Sequence, residues 1–312
     1  MGAVERWAKE LRAWRIPDEI LAAAPESPYG FPAEPFRRRA EAVRAEEPSP
    51  TARRALEALP EGGTVLDVGC GAGATSVPLA ARASRIVGVD GSRAMLERFL
   101  EVLRPTGVEA VAVEGTWPEV APRVEPADVV VCGHVLYNVA DLPPFVRALT
   151  DHARRRVVCE ITDRHPWAWT ADLWLRFHRL GRPEGPTADD AEAALRELGF
   201  DVRREDHLLP PTPAGFDRKE EAVALVRRRL CLPPDRDPEV ERALGDRLRV
   251  RDGLWSAGPD RQVVVTLWWD GWPEGSARAR GDPSTDRIER GPSTWGVSTA
   301  KDSRMVPGST TR

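Results

Sequence analysis

Two carboxylates and three glycines carry the chemistry that is easiest to read in this chain. Val65-Leu66-Asp67-Val68-Gly69-Cys70-Gly71-Ala72-Gly73-Ala74-Thr75-Ser76 sets an acid before three alternate glycines, and Arg85-Ile86-Val87-Gly88-Val89-Asp90 ends in a second acid. Glycines at such a turn let the backbone approach a ligand that a side chain would hold off. An acid at the end of the next apolar run suits two vicinal ribose hydroxyls, which are donors seeking a bidentate acceptor. The combination describes a nucleotide cradle. A close-packed structural turn is the plain alternative, and Gly69-x-Gly71-x-x-Ala74 also satisfies the dinucleotide fingerprint of nicotinamide enzymes.

Positioning these groups requires strands and helices in alternation. The apolar run at 65–68 predicts a buried strand, the glycines a tight turn, and 75–82 the start of a helix whose first N–H groups are unpaired. A strand ending at Asp90, a helix over 93–103 and strands over 108–113, 127–132 and 156–162 follow. A helix over 192–198 is capped within 186–190 and stopped by Gly199, and a sixth strand runs over 201–209. Such alternation dictates a parallel sheet with helices on both faces and ligands at the carboxyl ends of its strands.

Asp67-x-Gly69-x-Gly71-x-Gly73 followed by Val89-Asp90-x-Ser92-x-x-Met95-Leu96 resembles the class I S-adenosylmethionine-dependent methyltransferases. The acid two residues before the first glycine and the glycine at 73 are not demanded by the nicotinamide fingerprint. The resemblance covers roughly residues 60–210 and the last strand. It implies an α/β, Rossmann-like fold with a seven-stranded, mostly parallel sheet. The last strand, over 262–269, is then antiparallel beside the sixth, with an N-terminal helical cap over 1–50 and a helical insertion about 216–249 in the main domain of 51–272. S-adenosyl-L-methionine is the implied cofactor, its amino-acid end served by Asp67, its approach admitted by Gly69, Gly71 and Gly73, and its ribose held by Asp90 beside Gly91. Relatives often carry Gly-Asp after the third strand, the acid accepting from the adenine amino group. Here Gly115 is followed by Thr116, and Trp117 is either an adenine-stacking substitute or a core residue.

Gly133 and His134 leave the fourth strand where the resemblance places the methionine part of the cofactor and the transferred methyl group. His134 is the best-placed imidazole for acid–base work, against the alternative of a histidine bonded to the backbone. Asn138 stands where relatives frequently carry a histidine and takes no catalytic role. Extra N-terminal helices of this class commonly cover the cofactor, which makes Tyr29, Phe31 and Phe36 acceptor-pocket candidates. The most aromatic stretch, from Trp167 through Trp174 to His178, predicts a lid over the carboxyl edge, with His165, Trp167, Trp174, Arg176 and His178 as candidates to line or orient an acceptor. A helix simply docked on the core is the other reading of that stretch. The Asp/Asn-Pro-Pro-aromatic motif of nucleic-acid amino-methylating enzymes is absent, and so is the Pro-Cys pair of cytosine C5 enzymes.

Val4, Trp7, Leu11 and Trp14 recur at helical spacing, as core-facing residues do. The runs Arg37 to Arg39 and Arg227 to Arg229 read as exposed helix faces. With 312 residues the chain can bury a full core, and its 41% hydrophobic and 30% charged residues suit a globular protein. A net charge of −4 gives no bulk attraction to nucleic acid. Cys70, Cys132, Cys159 and Cys231 lack paired spacing, so disulfides and metal sites are not expected. No apolar run spans a membrane and no leader is evident, which predicts a cytoplasmic protein. Residues 273–312 lack apolar periodicity and are expected to be disordered. The sequence therefore predicts methyl transfer to a small-molecule acceptor through an O, N or C nucleophile. An RNA or protein methyltransferase and a non-catalytic cofactor-binding protein are the alternatives, and the oligomeric state is open.

Overall fold

Near-continuous apolar strands can be hidden only in a sheet covered on both faces. The computed structural model describes residues 1–209, 215–259 and 261–272; the tail expected over 273–312 lies outside them. Seven strands form one sheet: β1 (Gly63–Val68), β2 (Ala83–Asp90), β3 (Glu109–Glu114), β4 (Ala127–Gly133), β5 (Ala153–Thr162), β6 (Arg203–Leu208) and, after a separate hairpin of β7 (Leu248–Arg251) and β8 (Leu254–Ala257), β9 (Val263–Asp270). Their spatial order is β3-β2-β1-β4-β5-β9-β6, with β9 antiparallel to both neighbours and the other pairs parallel.

Strand alternation sorts the core into two layers. Leu66, Val130, Val157 and Leu267 face helices α1 (Ala3–Ala13), α6 (Leu142–Asp151) and α8 (Ala188–Glu197). Val65, Val129, Val131 and Val158 face α3 (Ala33–Ala42), α4 (Pro50–Ala58) and α5 (Arg93–Leu103). A third cluster joins Ile16 to α7 (Ala171–His178), α9 (Lys219–Arg229) and α10 (Asp237–Leu244). The short α2 (Asp18–Ala23) leads from α1 toward this cluster, to which Ile20 and Leu21 contribute.

Trp7 of α1 and Trp14, which caps that helix, are core residues that also tie down loops. Trp7 is fully buried, stacks on Tyr137 and donates from Nε1 to the Val139 carbonyl at 2.8 Å. Trp14 donates to the Gly185 carbonyl at 2.7 Å and stacks on His165. Both carbonyls belong to segments that follow sheet strands, so α1 fixes connections beyond the carboxyl edge.

One expectation is corrected. No α-helix follows the glycine turn: residues 75–82 contain a single 3₁₀ turn, Val77–Leu79. Pro78 lacks an N–H and disfavours helical backbone at Val77, and β2 begins too soon for a helix to start after it. After the expected helical insertion of about 216–249, a hairpin of β7 and β8 follows α10. Their turn is Asp252-Gly253, with φ of 50° and 78°, the left-handed backbone that a two-residue hairpin requires.

Helix α8 has a complete capping box, in which Thr187 Oγ1 accepts from the Asp190 N–H and the Asp190 carboxylate accepts from the Thr187 N–H. Thr187→Ala is expected to lower unfolding free energy by about 1 kcal/mol. Urea denaturation measures this, and an unchanged midpoint contradicts it.

Candidate functional site

Strand order reverses between β1 and β4, so the loops leaving their carboxyl ends diverge and open a crevice. Gly69, Gly71 and Gly73 line it with φ of 72°, 51° and 91°, backbone that side chains rarely adopt. A Cβ on Gly69 would collide with Val135 Cγ2 from the β4 exit, and one on Gly71 would lie 3.8 Å from the Phe36 ring. The turn is thus held between the β4 exit and α3.

Two acids face this turn. Asp67, on β1, is fully buried; its Oδ2 accepts from Ser76 Oγ at 2.6 Å, whereas Oδ1 is buried with no hydrogen-bond partner. Burial lifts its pKa to about 7, opposed by the Ser76 hydrogen bond and aided by the charge of Asp90. Asp90 ends β2, and its two oxygens accept from the Gly71 N–H at 3.0 Å and the Ser92 N–H at 2.8 Å. Burial raises its pKa as well, against those two amides. Each of its oxygens keeps a further lone pair for a ribose hydroxyl.

A pyrophosphate needs the N–H groups and positive end of a helix. This crevice has no α-helix after its glycines and has two carboxylates beside them, a field that favours a nucleoside bearing positive charge over a dinucleotide. The sequence agrees, since a family model described as a methyltransferase domain matches residues 37–205. The chain belongs to that methyltransferase-domain family.

Among known proteins, a ubiquinone biosynthesis O-methyltransferase of Ruegeria pomeroyi is 28% identical over 49% of this chain and 62% of its own. One of Rickettsia canadensis is 29% identical over 29% of this chain and 38% of its own. The chain spans between 36% and 62% of the length of the curated relatives it matches. A solved S-adenosylmethionine-dependent methyltransferase from Thiobacillus denitrificans, in complex with S-adenosyl-L-homocysteine, is 20% identical, with a TM-score of 0.45, over 77% of this chain and 99% of that one.

The methyltransferase domain fits an S-adenosyl nucleoside at this crevice. Asp67 Oδ1 is a buried acceptor without a partner, the glycines hold left-handed backbone in the turn beside it, and Asp90 is held by two amides. Gly91 has open space around it, and Gly133 lies under Thr75 Oγ1. Thr116 is exposed beyond β3, its carbonyl accepting from the Val120 N–H. Trp117 corrects the adenine-stacking expectation: it is buried in the core, edge-on to His152, with Nε1 donating to the Phe145 carbonyl at 3.4 Å.

His134 stands at the exit of β4 with φ of 60°, an unusual backbone for a residue with a side chain. Its Nε2 lies 3.0 Å from Glu160 Oε1, and its side chain is 44% exposed. Glu160, on β5 beside Gly133, also accepts from Thr51 Oγ1, which in turn lies 2.7 Å from Thr266 Oγ1. Burial would raise the Glu160 pKa, but His134 and Thr51 outweigh it and hold it at about 2. Glu160 and Thr51 were not singled out from the sequence, although a lone acid inside Val157-Val158-Cys159-Glu160-Ile161 is the signal that marks the pair.

The acceptor-pocket candidates divide. Phe31 is 39% exposed and packs between Phe36 and Trp167, and Tyr29 and Trp167 flank Arg229. His165, Trp174 and His178 are corrected. His165 is buried against Trp14 and Tyr137, with Nδ1 accepting from the Trp167 N–H at 3.2 Å, so it cannot serve as a solvent-linked base. Trp174 is 2% exposed in the third core cluster, and His178 Nε2 bonds the Leu230 carbonyl at 2.6 Å. The run Arg227 to Arg229 is not an exposed face: Arg227 and Arg229 are 5% and 6% exposed.

If Asp67 takes the ammonium of S-adenosylmethionine, binding requires its ionised form and expels the proton that burial retains below about pH 7. Affinity is expected to rise roughly 10- to 30-fold from about pH 5.5 to about pH 7.5, and to lose this slope in Asp67→Asn. Calorimetry across that range tests it; a flat profile for the native protein contradicts it.

Proposed function

We propose that this protein transfers a methyl group from S-adenosylmethionine to a small-molecule acceptor, with His134 taking the acceptor's proton. The observation that carries the reading is the pair of acids, buried Asp67 and half-buried Asp90, around a glycine turn with no α-helix behind it. When bound, the cofactor supplies an electrophilic methyl group on a sulfonium, which leaves as a neutral thioether once an acceptor lone pair takes the methyl. Asp67 and Asp90 bind and orient, and their charge favours a cationic ligand. Glu160 holds the His134 imidazole in one orientation and stabilises the imidazolium that forms when the proton arrives. Phe31, Phe36 and the buried aromatics behind them supply an apolar wall for the acceptor and exclude water from the reacting groups.

Residues 1–50 and the segment from α9 through β8 serve, in this reading, as the acceptor-binding parts added to the methyltransferase domain. An RNA or protein acceptor drew its support from the arginine runs. Those arginines are engaged within the molecule: Arg37 with Glu34 and Glu41, Arg38 with Asp217, Arg39 with Glu46, and Arg227 with Glu26 and Asp237. The four cysteines are free thiols, which fits a reducing compartment and a place in the cytoplasm. No helix among the described residues is long and apolar enough to cross a membrane.

Incubation with methyl-labelled cofactor and a cell extract divided into small-molecule, RNA and protein fractions tests the acceptor class. Label is expected in the small-molecule fraction, and label confined to RNA or protein contradicts the reading. With the acceptor in hand, His134→Ala is expected to lower kcat about 100-fold and Glu160→Gln by about tenfold, with S-adenosylhomocysteine affinity retained. Full turnover by His134→Ala removes it as the base.

A further inference from the structure

One row of polar side chains crosses three strands behind His134. Glu160 of β5, Thr266 of β9 and Glu205 of β6 stand opposite one another in register, so they share a face of the sheet. Thr51, the second residue of α4, reaches this row from above: its Oγ1 donates to Glu160 Oε2 and lies 2.7 Å from Thr266 Oγ1. Both threonines are buried, and buried hydroxyls need partners.

The donors in the row can be assigned one by one, because a threonine hydroxyl carries a single proton. Thr51 gives its proton to Glu160, so its oxygen accepts from Thr266 and Thr266 is the donor. Glu205, the other acceptor in the row, is engaged by Arg53 at 3.0 Å and Arg54 at 2.7 Å. His207, two residues beyond Glu205, is the other titratable group whose charge bears on Glu160. Burial lowers the His207 pKa, with Arg53 adding to it and Glu160, Glu205 and Asp206 opposing it, so at neutral pH His207 brings Glu160 no charge.

Every hydrogen bond along this line therefore points at Glu160. Burial would raise its pKa, but the bonds from His134 and Thr51 hold it at about 2. An ionised carboxylate only accepts, so the 3.0 Å contact between Glu160 Oε1 and His134 Nε2 fixes a proton on Nε2. The lone pair of the neutral ring is then on Nδ1, in a side chain 44% exposed. The backbone keeps this ring beside the glycine turn: a Cβ on Gly133 would meet Thr75, one on Gly69 would meet Val135, and between them the His134 N–H donates to the Glu160 carbonyl at 2.6 Å.

We propose that Thr51 and Thr266 are positioning residues for methyl transfer, holding the His134 imidazole through Glu160 as its Nε2–H tautomer, and that Nδ1 is the atom that takes the acceptor's proton. The assignment rests on the methyl-transfer reading above and adds the accepting atom and its supporting hydroxyls. The proton leaves the acceptor atom that gains the methyl group, the electron pair of the broken bond stays on that atom, and the proton goes to Nδ1. The imidazolium so formed keeps its Nε2–H on Glu160. The two threonines act through Glu160 and move no proton.

The test is NMR of the full chain with nitrogen-labelled histidines, without cofactor or acceptor, at a pH where His134 is neutral. The native protein is expected to carry the His134 proton on Nε2. Thr51→Val is expected to speed exchange of that proton with solvent about tenfold, and Thr266→Val about threefold. With an acceptor in hand, Thr51→Val is expected to lower kcat about tenfold with KM unchanged, while Thr51→Ser, which keeps the hydroxyl, restores both exchange and kcat. A proton on Nδ1 in the native chain, exchange and kcat untouched by Thr51→Val, or Thr51→Ser as impaired as Thr51→Val overturns the proposal. Where Thr51→Val fails to fold, Thr266→Val and the native tautomer decide. The spectra need no cofactor, so their failure is distinct from failure of the methyl-transfer reading, which a native chain that labels no fraction of the extract would show and which would take the role of Nδ1 with it.

Discussion

A carboxylate buried in the middle of a parallel sheet is the constraint on which the rest depends. Asp67 lies on β1 between β2 and β4, with one oxygen paired to Ser76 and the other unpaired. Such a group is costly to ionise without a partner. The chain tolerates it on β1, the strand beside which strand order reverses. Ser76 is drawn toward β1 by the same hydrogen bond, and the segment that elsewhere would begin a helix makes a short turn instead. The absence of that helix and the presence of the acid therefore act together, and both favour a ligand that brings positive charge.

Around that point the fold supplies rigid walls. Val135 covers Gly69, Phe36 covers Gly71, and α1 fixes the segments beyond the strands through Trp7 and Trp14. His134 is set in left-handed backbone between the glycine turn and Glu160, and its own N–H donates to the Glu160 carbonyl at 2.6 Å. Strained backbone held by surrounding hydrogen bonds is a recurring feature of positions where a side chain must point one way. The acid that orients the imidazole is on a neighbouring strand, so the geometry depends on strand register rather than on a mobile loop.

Much of the sheet and the cradle could be read in the chain, because both are local. Strand-length apolar runs, the alternate glycines and the acids at 67 and 90 sit within one short window of sequence, and helix α5 matched its predicted bounds because its cap and its apolar spacing agree. The helix expected after Gly73 is absent because Pro78 restricts the backbone at Val77 and β2 follows at once. The local signal for the β7–β8 hairpin is the Asp252-Gly253 turn alone, since its two strands are only four residues each. Local pattern leaves Trp117 and Trp174 open between cleft and core and sets the arginines at 227–229 on an exposed face, because whether a large side chain faces a cleft or a core depends on partners distant in sequence. Glu26 for Arg227, Trp167 for Arg229 and Phe145 for Trp117 are contacts that no local pattern announces.

The central claim is that Asp90 and the glycine turn hold an S-adenosyl nucleoside. The most direct measurement is a calorimetric titration of the native chain and of Asp90→Ala with S-adenosylmethionine at neutral pH. The account predicts saturable, one-to-one binding to the native protein and a loss of about 10- to 100-fold in affinity in the variant, as removal of a charged hydrogen-bond acceptor entails. No binding by the native chain, or equal binding by both, contradicts it.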